Sequence, residues 1–152
     1  MDSENYAALV YEHMLLTRYA LQDTPYRERT PTLDRSATVL LARLEAQGPM
    51  TVGELADAFG LDVSTVHRQV AAALKAGLIE RIQERKGGAA RQHRPTAEGA
   101  QKLHEELTAR ETTIAHATAD WTTEELEMFI ALARRFNEGI EALRERPWPR
   151  QH

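Results

Sequence analysis

Between Ser64 and Lys75 the chain sets out side chains able to grip a polyanion and to read flat hydrogen-bonding edges: Ser64, Thr65, His67, Arg68, Gln69 and Lys75. A guanidinium such as that of Arg68 is a planar fork matching two acceptors at once, as on a guanine edge or a phosphate. Ser64 and Thr65 fall where a helix would begin, so their hydroxyls could bond to bases or to phosphates drawn by the unpaired N–H groups there. A second basic set comes later, with Arg85, Lys86 and Arg91 around the run Gly87, Gly88, Ala89 and Ala90. Positive charge combined with backbone freedom suits a position beside phosphates or inside a minor groove. An ordinary solvated loop has a similar composition, so the chemistry depends on a scaffold that aims these groups.

The charge is unevenly spread. The chain carries a formal net charge of -4, which taken alone argues against a polyanionic partner. Yet from Asp62 to Arg94 the basic residues Arg68, Lys75, Arg81, Arg85, Lys86, Arg91 and Arg94 outnumber the acidic Asp62, Glu80 and Glu84. An electrostatic footprint needs only one face to be positive.

The elements that would position these groups are legible from caps and periodicity. Thr51 followed by Glu54 is a capping box, which opens a short helix ending at Gly60. A second helix runs from about Asp62, as N-cap, to Ala76, with Gly77 as its stop. Two helices that cross closely need a small residue at the crossing, a permissive turn and apolar anchors. Ala56, Gly60 and Val66 fill those roles, with Leu55, Phe59, Val63 and Val70 completing the apolar set. At about 100° per residue, Val63, Val66, Val70, Ala73 and Leu74 gather on one face, with Ser64, Thr65, Arg68, Ala72 and Lys75 opposite. His67 and Gln69 fall on the flanks, where each could reach a base edge or line a junction with a neighbouring helix. Leu78 to Gln83 and Gln92 to Pro95 then read as two strands of a hairpin whose tip is basic.

Helical segments flank this unit. Glu4 to Gln22 places Tyr6, Leu9, Val10, Met14 and Leu21 at helical spacing, and Asp23 to Thr32, with Pro25 and Pro31, is a connection. A helix from Leu33 to Gln47 is expected to turn Val39, Leu40 and Leu44 inward and to stop at Gly48 and Pro49. Thr96 leads a long helix to about Ala119, and Thr122 with Glu125 is a second capping box, before a stripe that includes Phe129, Phe136, Ile140 and Leu143. That helix ends before Pro147. The fold class expected is mainly α with a small β-hairpin wing: a winged helix-turn-helix over residues 33–95, helical regions over 1–32 and 96–146, and a flexible tail over 147–152.

Several functions are disfavoured. The chain has no cysteine, which removes disulfides, thiolate zinc sites and thiol chemistry. Its histidines, His13, His67, His93, His104, His116 and His152, include no pair four residues apart, so neither a metal nor another cofactor is expected. The serines Ser3, Ser36 and Ser64 stand in no nucleophile motif, and no enzyme is expected. No apolar run approaches the roughly 18 residues of a membrane span, and the N-terminus lacks the basic and apolar regions of a signal peptide. The expectation is a cytoplasmic protein with no membrane partner.

In the order of its elements, and over nearly its whole length, the chain resembles the MarR (multiple antibiotic resistance regulator) family. The run "LDVSTVHRQVAAALKAGLIER" is similar to a recognition helix and first wing strand of that family, "PTAEG" to the segment after the wing, and "WTTEEL" to the opening of the last helix. The resemblance implies a transcriptional regulator whose homodimer is held by the helices of residues 1–32 and 96–146. It implies recognition helices in successive major grooves of double-stranded DNA and wings in the flanking minor grooves. The operator would be roughly palindromic, with half-sites about one helical turn apart.

It further implies a repressor released by a small, often aromatic, effector bound between the dimerisation helices and the winged region. Tyr6, His13 and Tyr19 could line such a pocket, but packing or interface roles suit them better, and ligand-binding residues stay unassigned. In many members an Asp-x-Arg-Asp-Arg wing uses an acidic residue to steady the tip arginine. The wing here reads "ERKGGAARQHR", with Arg91 the candidate for that arginine's place. The candidate DNA-contacting residues are thus Thr51, Ser64, Thr65, His67, Arg68, Gln69, Lys75, Arg85, Lys86 and Arg91. A winged helix that docks a protein partner without binding DNA is the alternative; Arg68, Lys86 and Arg91 argue against it.

Overall fold

A computed structural model describes residues 3–19, 33–82 and 91–150. In chain order these form α1 (Ser3–Arg18), α2 (Arg35–Gln47), α3 (Val52–Phe59), α4 (Val63–Lys75), β1 (Ile79–Ile82), β2 (Gln92–Pro95), α5 (Ala97–Ala117) and α6 (Thr123–Arg144). The end of the first expected helix beyond Tyr19, the whole connection from Asp23 to Thr32 and the hairpin tip with Arg85 and Lys86 lie outside the described residues. None of the described helices is long and apolar enough to cross a membrane.

Local chemistry sets the helix ends. The Asp34 carboxylate accepts the Ala37 N–H at 2.7 Å and starts α2. Both expected capping boxes form: Glu54 N–H donates to Thr51 Oγ1 at 3.2 Å while Thr51 N–H donates to Glu54 Oε2 at 2.8 Å, and Thr122 pairs with Glu125 in the same way. Gly60 ends α3 in the left-handed region at φ 62°, where a side chain would be strained.

The core lies where α2, α3 and α4 meet the hairpin and the start of α5. It is built from Leu40, Leu41 and Leu44 of α2, Leu55 and Ala56 of α3, Val66, Val70 and Ala73 of α4, with Met50, Leu78, Ile79 and Leu103. Burying each leucine contributes about 1.5 to 3 kcal/mol. Two inward assignments from periodicity need correction. Leu41 is buried where Val39 was expected, because α2 sits among several neighbours and buries more than one stripe. Val63 is exposed, since the first turn of α4 stands clear of the core layer that begins at Val66.

The hairpin is held at its base from two sides. Ile79 pairs with Pro95 and Ile82 with Gln92, antiparallel. Met50, between α2 and α3, then pairs with His93 on the other side of β2, exchanging backbone hydrogen bonds of 2.8 and 3.1 Å. The His93 ring is buried, with Nδ1 3.3 Å from the Met50 carbonyl oxygen. Burial pushes its pKa below the ordinary histidine value; the Met50 hydrogen bond opposes that shift and the Arg81 charge adds to it.

Behind the hairpin, Thr96 ties α4 to α5. Its N–H donates to the Leu78 carbonyl at 3.0 Å, and its hydroxyl donates to the Gly77 carbonyl at 2.6 Å while accepting the Gly99 N–H at 3.0 Å. Gly99 itself presses on Leu78: a Cβ added there would lie 1.9 Å from the Leu78 carbonyl oxygen.

The helices α1 and α6 contribute no buried residue, and they meet through the rings of His13 and Phe136, 5.6 Å apart. The segment after α6, expected to form a flexible tail from residue 147, makes contacts with the rest of the fold. Over Arg146–Arg150 the chain folds back, with Arg146 Nε donating to the Asp57 carbonyl at 2.7 Å and Trp148 stacked on Phe59. Two prolines break a helix, but an arginine and an indole supply enough contacts to hold the segment down.

Gly99→Ala is therefore expected to cost about 1 to 3 kcal/mol, because backbone rather than a flexible side chain must yield. Gly53→Ala, whose Cβ would meet nothing nearer than 3.9 Å, is expected to be neutral or to stabilise by about 0.5 kcal/mol. Urea denaturation midpoints of the two variants check the contrast; equal midpoints would show that the Gly99 contact is dispensable.

Candidate nucleic-acid interface

Helix α4 presents its outer face as the wheel predicts. Ser64, His67, Arg68, Ala72 and Lys75 are exposed and Thr65 is half-buried, opposite the buried Val66, Val70 and Ala73. Arg68 Nη2 lies 3.4 Å from Thr65 Oγ1, a long contact that leaves most of the guanidinium's donors available. At the start of α4, Asp62 takes the extended N-cap conformation but its side chain makes no capping bond. The first N–H groups of α4 thus have no side-chain acceptor from the cap, and they point at whatever anion approaches the helix start.

Two grooves flank α4. One, of about 430 Å³, lies between α4, the start of α3 and the hairpin, and is lined by Thr51, Gly53, His67, Arg81, Arg91 and His93 among others. The other, of about 450 Å³, lies between α4 and α2, with Ser36, Ala37, Arg68, Gln69 and Ala72 in its walls. A helix standing out between two grooves, with basic groups along one of them, is shaped to enter the major groove of a duplex while the strand backbones run on either side.

The structure thus brings Thr51, His67 and Arg91 together on the wing side and Arg68 and Gln69 on the α2 side, with Ser64 and Thr65 in the first turn and Lys75 at the far end. The two flank residues differ: His67 is exposed at the groove edge, whereas Gln69 is half-buried and its Nε2 donates to Ser36 Oγ at 3.4 Å. Arg85 and Lys86 fall outside the described residues.

Arg81 was missed as a site residue. It is exposed on β1, opposite His93 in the hairpin register, and shares the groove with Arg91. Its signal in the sequence was the basic surplus between Asp62 and Arg94. Arg94, by contrast, is paired with Glu80 across the strands at 2.8 Å, so its charge is partly offset. His93, held neutral by burial, supports the groove without adding charge. Among the described residues no cluster of histidine and carboxylate groups could hold a metal ion.

An exposed helix with a polar, arginine-bearing face, a preceding helix crossing it and a basic hairpin beside it define a winged helix-turn-helix protein. Comparison with known proteins makes the class specific. Residues 32–91 match the family model described as MarR family. The chain is 34% identical over 141 residues to the uncharacterized HTH-type transcriptional regulator YxaD of Bacillus subtilis (strain 168), covering 92% of this chain and 99% of that protein. The fold is similar to that of a MarR family protein from Bacillus stearothermophilus, with TM-score 0.75, 21% identity and coverage of 92% of this chain and 98% of that one. It is also similar to the PcaV transcriptional regulator from Streptomyces coelicolor, solved in complex with its natural ligand, with TM-score 0.62, 22% identity and coverage of 93% and 98%. The chain belongs to the MarR family and is a DNA-binding transcriptional regulator.

The two sets of basic groups should behave differently. Arg68→Ala is expected to cost about 1 to 3 kcal/mol at one base pair of the bound duplex and to relax selection there. Arg91→Ala is expected to weaken binding to all sequences and to lower the slope of log K against log salt by about 1. Binding titrations over a salt series, with matched and singly altered duplexes, check both. An unaltered base preference for the Arg68 variant would move the reading of bases to another residue.

Proposed function

We propose that this chain acts as a homodimer on a roughly palindromic operator, as a repressor that a small aromatic effector releases. The observation that carries the reading is the uncovered apolar surface of α1 and α6. Tyr6, Leu9, Val10, Met14 and Leu16 of α1, and Phe129, Ile130, Phe136, Ile140 and Leu143 of α6, are all exposed in the single chain. Apolar surface on this scale marks an association surface, and a second copy supplies the same helices in a closed twofold arrangement.

On this reading residues 33–95 read DNA, with residues 1–32 and 96–146 making the dimer. A twofold dimer presents two α4 helices to two half-sites about one helical turn apart, which is why the operator is an inverted repeat. Ser64, Thr65, Arg68 and Lys75 face the groove, Thr51, His67 and Arg91 hold the adjoining backbone, and Arg85 and Lys86 extend the wing. Gln69 contributes after exchanging Ser36 for a base. PcaV, a protein of similar fold solved with its natural ligand, supports release by an effector. The protein works in the cytoplasm and needs no cofactor.

The test is selection of bound sequences from a random duplex library at two salt concentrations, with protein whose oligomeric state has been measured. Enrichment of an inverted repeat by a dimer is the expected result. A monomer, or weak binding without enrichment even at low salt, would favour a winged helix that docks a protein instead.

A further inference from the structure

The segment after α6 makes an attachment that the DNA-reading face does not use. At Glu145 the backbone enters the left-handed region, φ 54°, and Arg146 N–H donates to the Glu141 carbonyl at 3.0 Å, turning the chain back toward α2 and α3. A residue other than glycine in that conformation is strained, so the turn is held by the contacts of residues 146–150. Arg146 Nε bonds the Asp57 carbonyl at the end of α3. Trp148 stacks on Phe59 with ring centroids 6.1 Å apart and planes 22° apart, and the Arg43 guanidinium lies 4.9 Å from the indole centroid on its other partner helix, α2.

Arg43 is itself fixed. It is buried, its Nε and Nη2 donate to Gln47 Oε1 at 2.9 and 2.6 Å, and its Nη1 lies 3.3 Å from the Pro147 carbonyl. The Trp148 N–H and Arg150 Nη1 both donate to Glu141 Oε2 at 3.0 Å, and Arg150 Nη2 bonds Glu141 Oε1. These bonds, Arg150's first, keep the Glu141 carboxyl below the ordinary carboxylate range. The tail is thereby stapled at one end to α6 and at the other to the unit that carries α4.

The same unit is already joined to α5, through Gly99 and through Arg110, whose Nη2 lies 3.5 Å from Thr38 Oγ1 on α2. Thr38 and Arg43 are five positions apart, about 140° around the helix, so the two joints grip different faces of α2. A body held at one joint can rock about it. A second joint on another face removes that freedom.

We propose that Arg146–Arg150 is a latch that fixes the angle of the DNA-reading unit against the dimerisation helices, and that Trp148, as its positioning residue, sets how strictly the dimer selects half-site spacing. The inference rests on the dimeric reading above. With the latch closed, the two α4 helices are held at one separation. With it open, each unit rocks on α5, and operators of altered spacing are bound with less loss.

The experiment measures affinity for duplexes whose inverted half-sites are separated by the selected spacing or by one base pair more or fewer, using the full-length protein, Trp148→Ala and Trp148→Phe. Wild type is expected to favour one spacing by about tenfold or more, Trp148→Ala to compress that preference to about threefold or less, and Trp148→Phe, which still stacks on Phe59, to restore most of it. Binding to an isolated half-site is expected to be equal for all three. A Trp148→Ala dimer that keeps the wild-type spacing ratio would overturn the latch. Wild-type protein that binds no inverted repeat would overturn the dimeric reading on which it rests. If Trp148→Ala fails to fold, the paired substitution of Arg146→Ala and Arg150→Ala, made outside the core, releases the same segment and is read by the same ratio.

Discussion

The close contact of Gly99 with Leu78 is the constraint on which the rest of the architecture turns. Leu78 ends the path out of α4 and enters the wing, while Gly99 lies in the first turn of α5. Because helix and carbonyl touch without an intervening side chain, the axis of α5 is set directly by the backbone that leaves α4. Thr96 completes the joint by engaging both Gly77 and Leu78 while capping α5. A regulator of this design must relate the position of α4 to that of the long helices, and here the relation is made through backbone atoms, which deform less readily than side chains.

Farther along α5 the joint is polar. Glu106 is 1% exposed and pairs with Arg110 at 3.0 Å, and Arg110 also reaches Thr38 on α2. An ion pair with its carboxylate buried stabilises little beyond an apolar contact of the same volume, since desolvation offsets much of the attraction. Its value is directional. Leucines allow two helices to slide past each other at small cost, whereas a charged fork that faces a carboxylate and a hydroxyl opposes sliding of α5 along α2. The core of leucines and valines holds the unit together, and the polar contacts determine how it meets its neighbours.

Most of this was legible in the sequence, and the parts that were not have a common cause. Caps are local, so Thr51 with Glu54, Thr122 with Glu125 and the ends at Gly60 and Gly77 could be read from a few adjacent residues. The outward set Ser64, Thr65, Arg68 and Lys75 comes from one helical period. Periodicity assumes one buried stripe, and it misplaced Val39 against Leu41 because α2 packs against α4, α5 and β2 at once. It misjudged Val63 because a helix end can outrun the layer beneath it. Gln69 with Ser36, Arg43 with Trp148 and Arg110 with Thr38 join residues 33, 105 and 72 positions apart, and no local pattern announces such pairs. The contacts of the tail went unseen for the same reason: its prolines are a local signal for breaking a helix, while the residues it touches are distant.

The charge pattern gains a meaning once the fold is known. Basic residues outnumber acidic ones only between Asp62 and Arg94, the stretch that holds α4 and the hairpin, whereas α6 opens with Glu124 and Glu125 and the chain as a whole is negative. A uniformly basic protein would be drawn to DNA in any orientation, and most encounters would present the wrong face. With an acidic remainder, approach by the long helices is repelled while approach by α4 is attracted, so the field selects orientation before contact is made. That selection acts over roughly a Debye length, about 8 Å at physiological salt, so it operates as the reading face nears the phosphates. Net negative charge is therefore compatible with DNA binding here because the basic surplus and the acidic surplus fall in different parts of the chain.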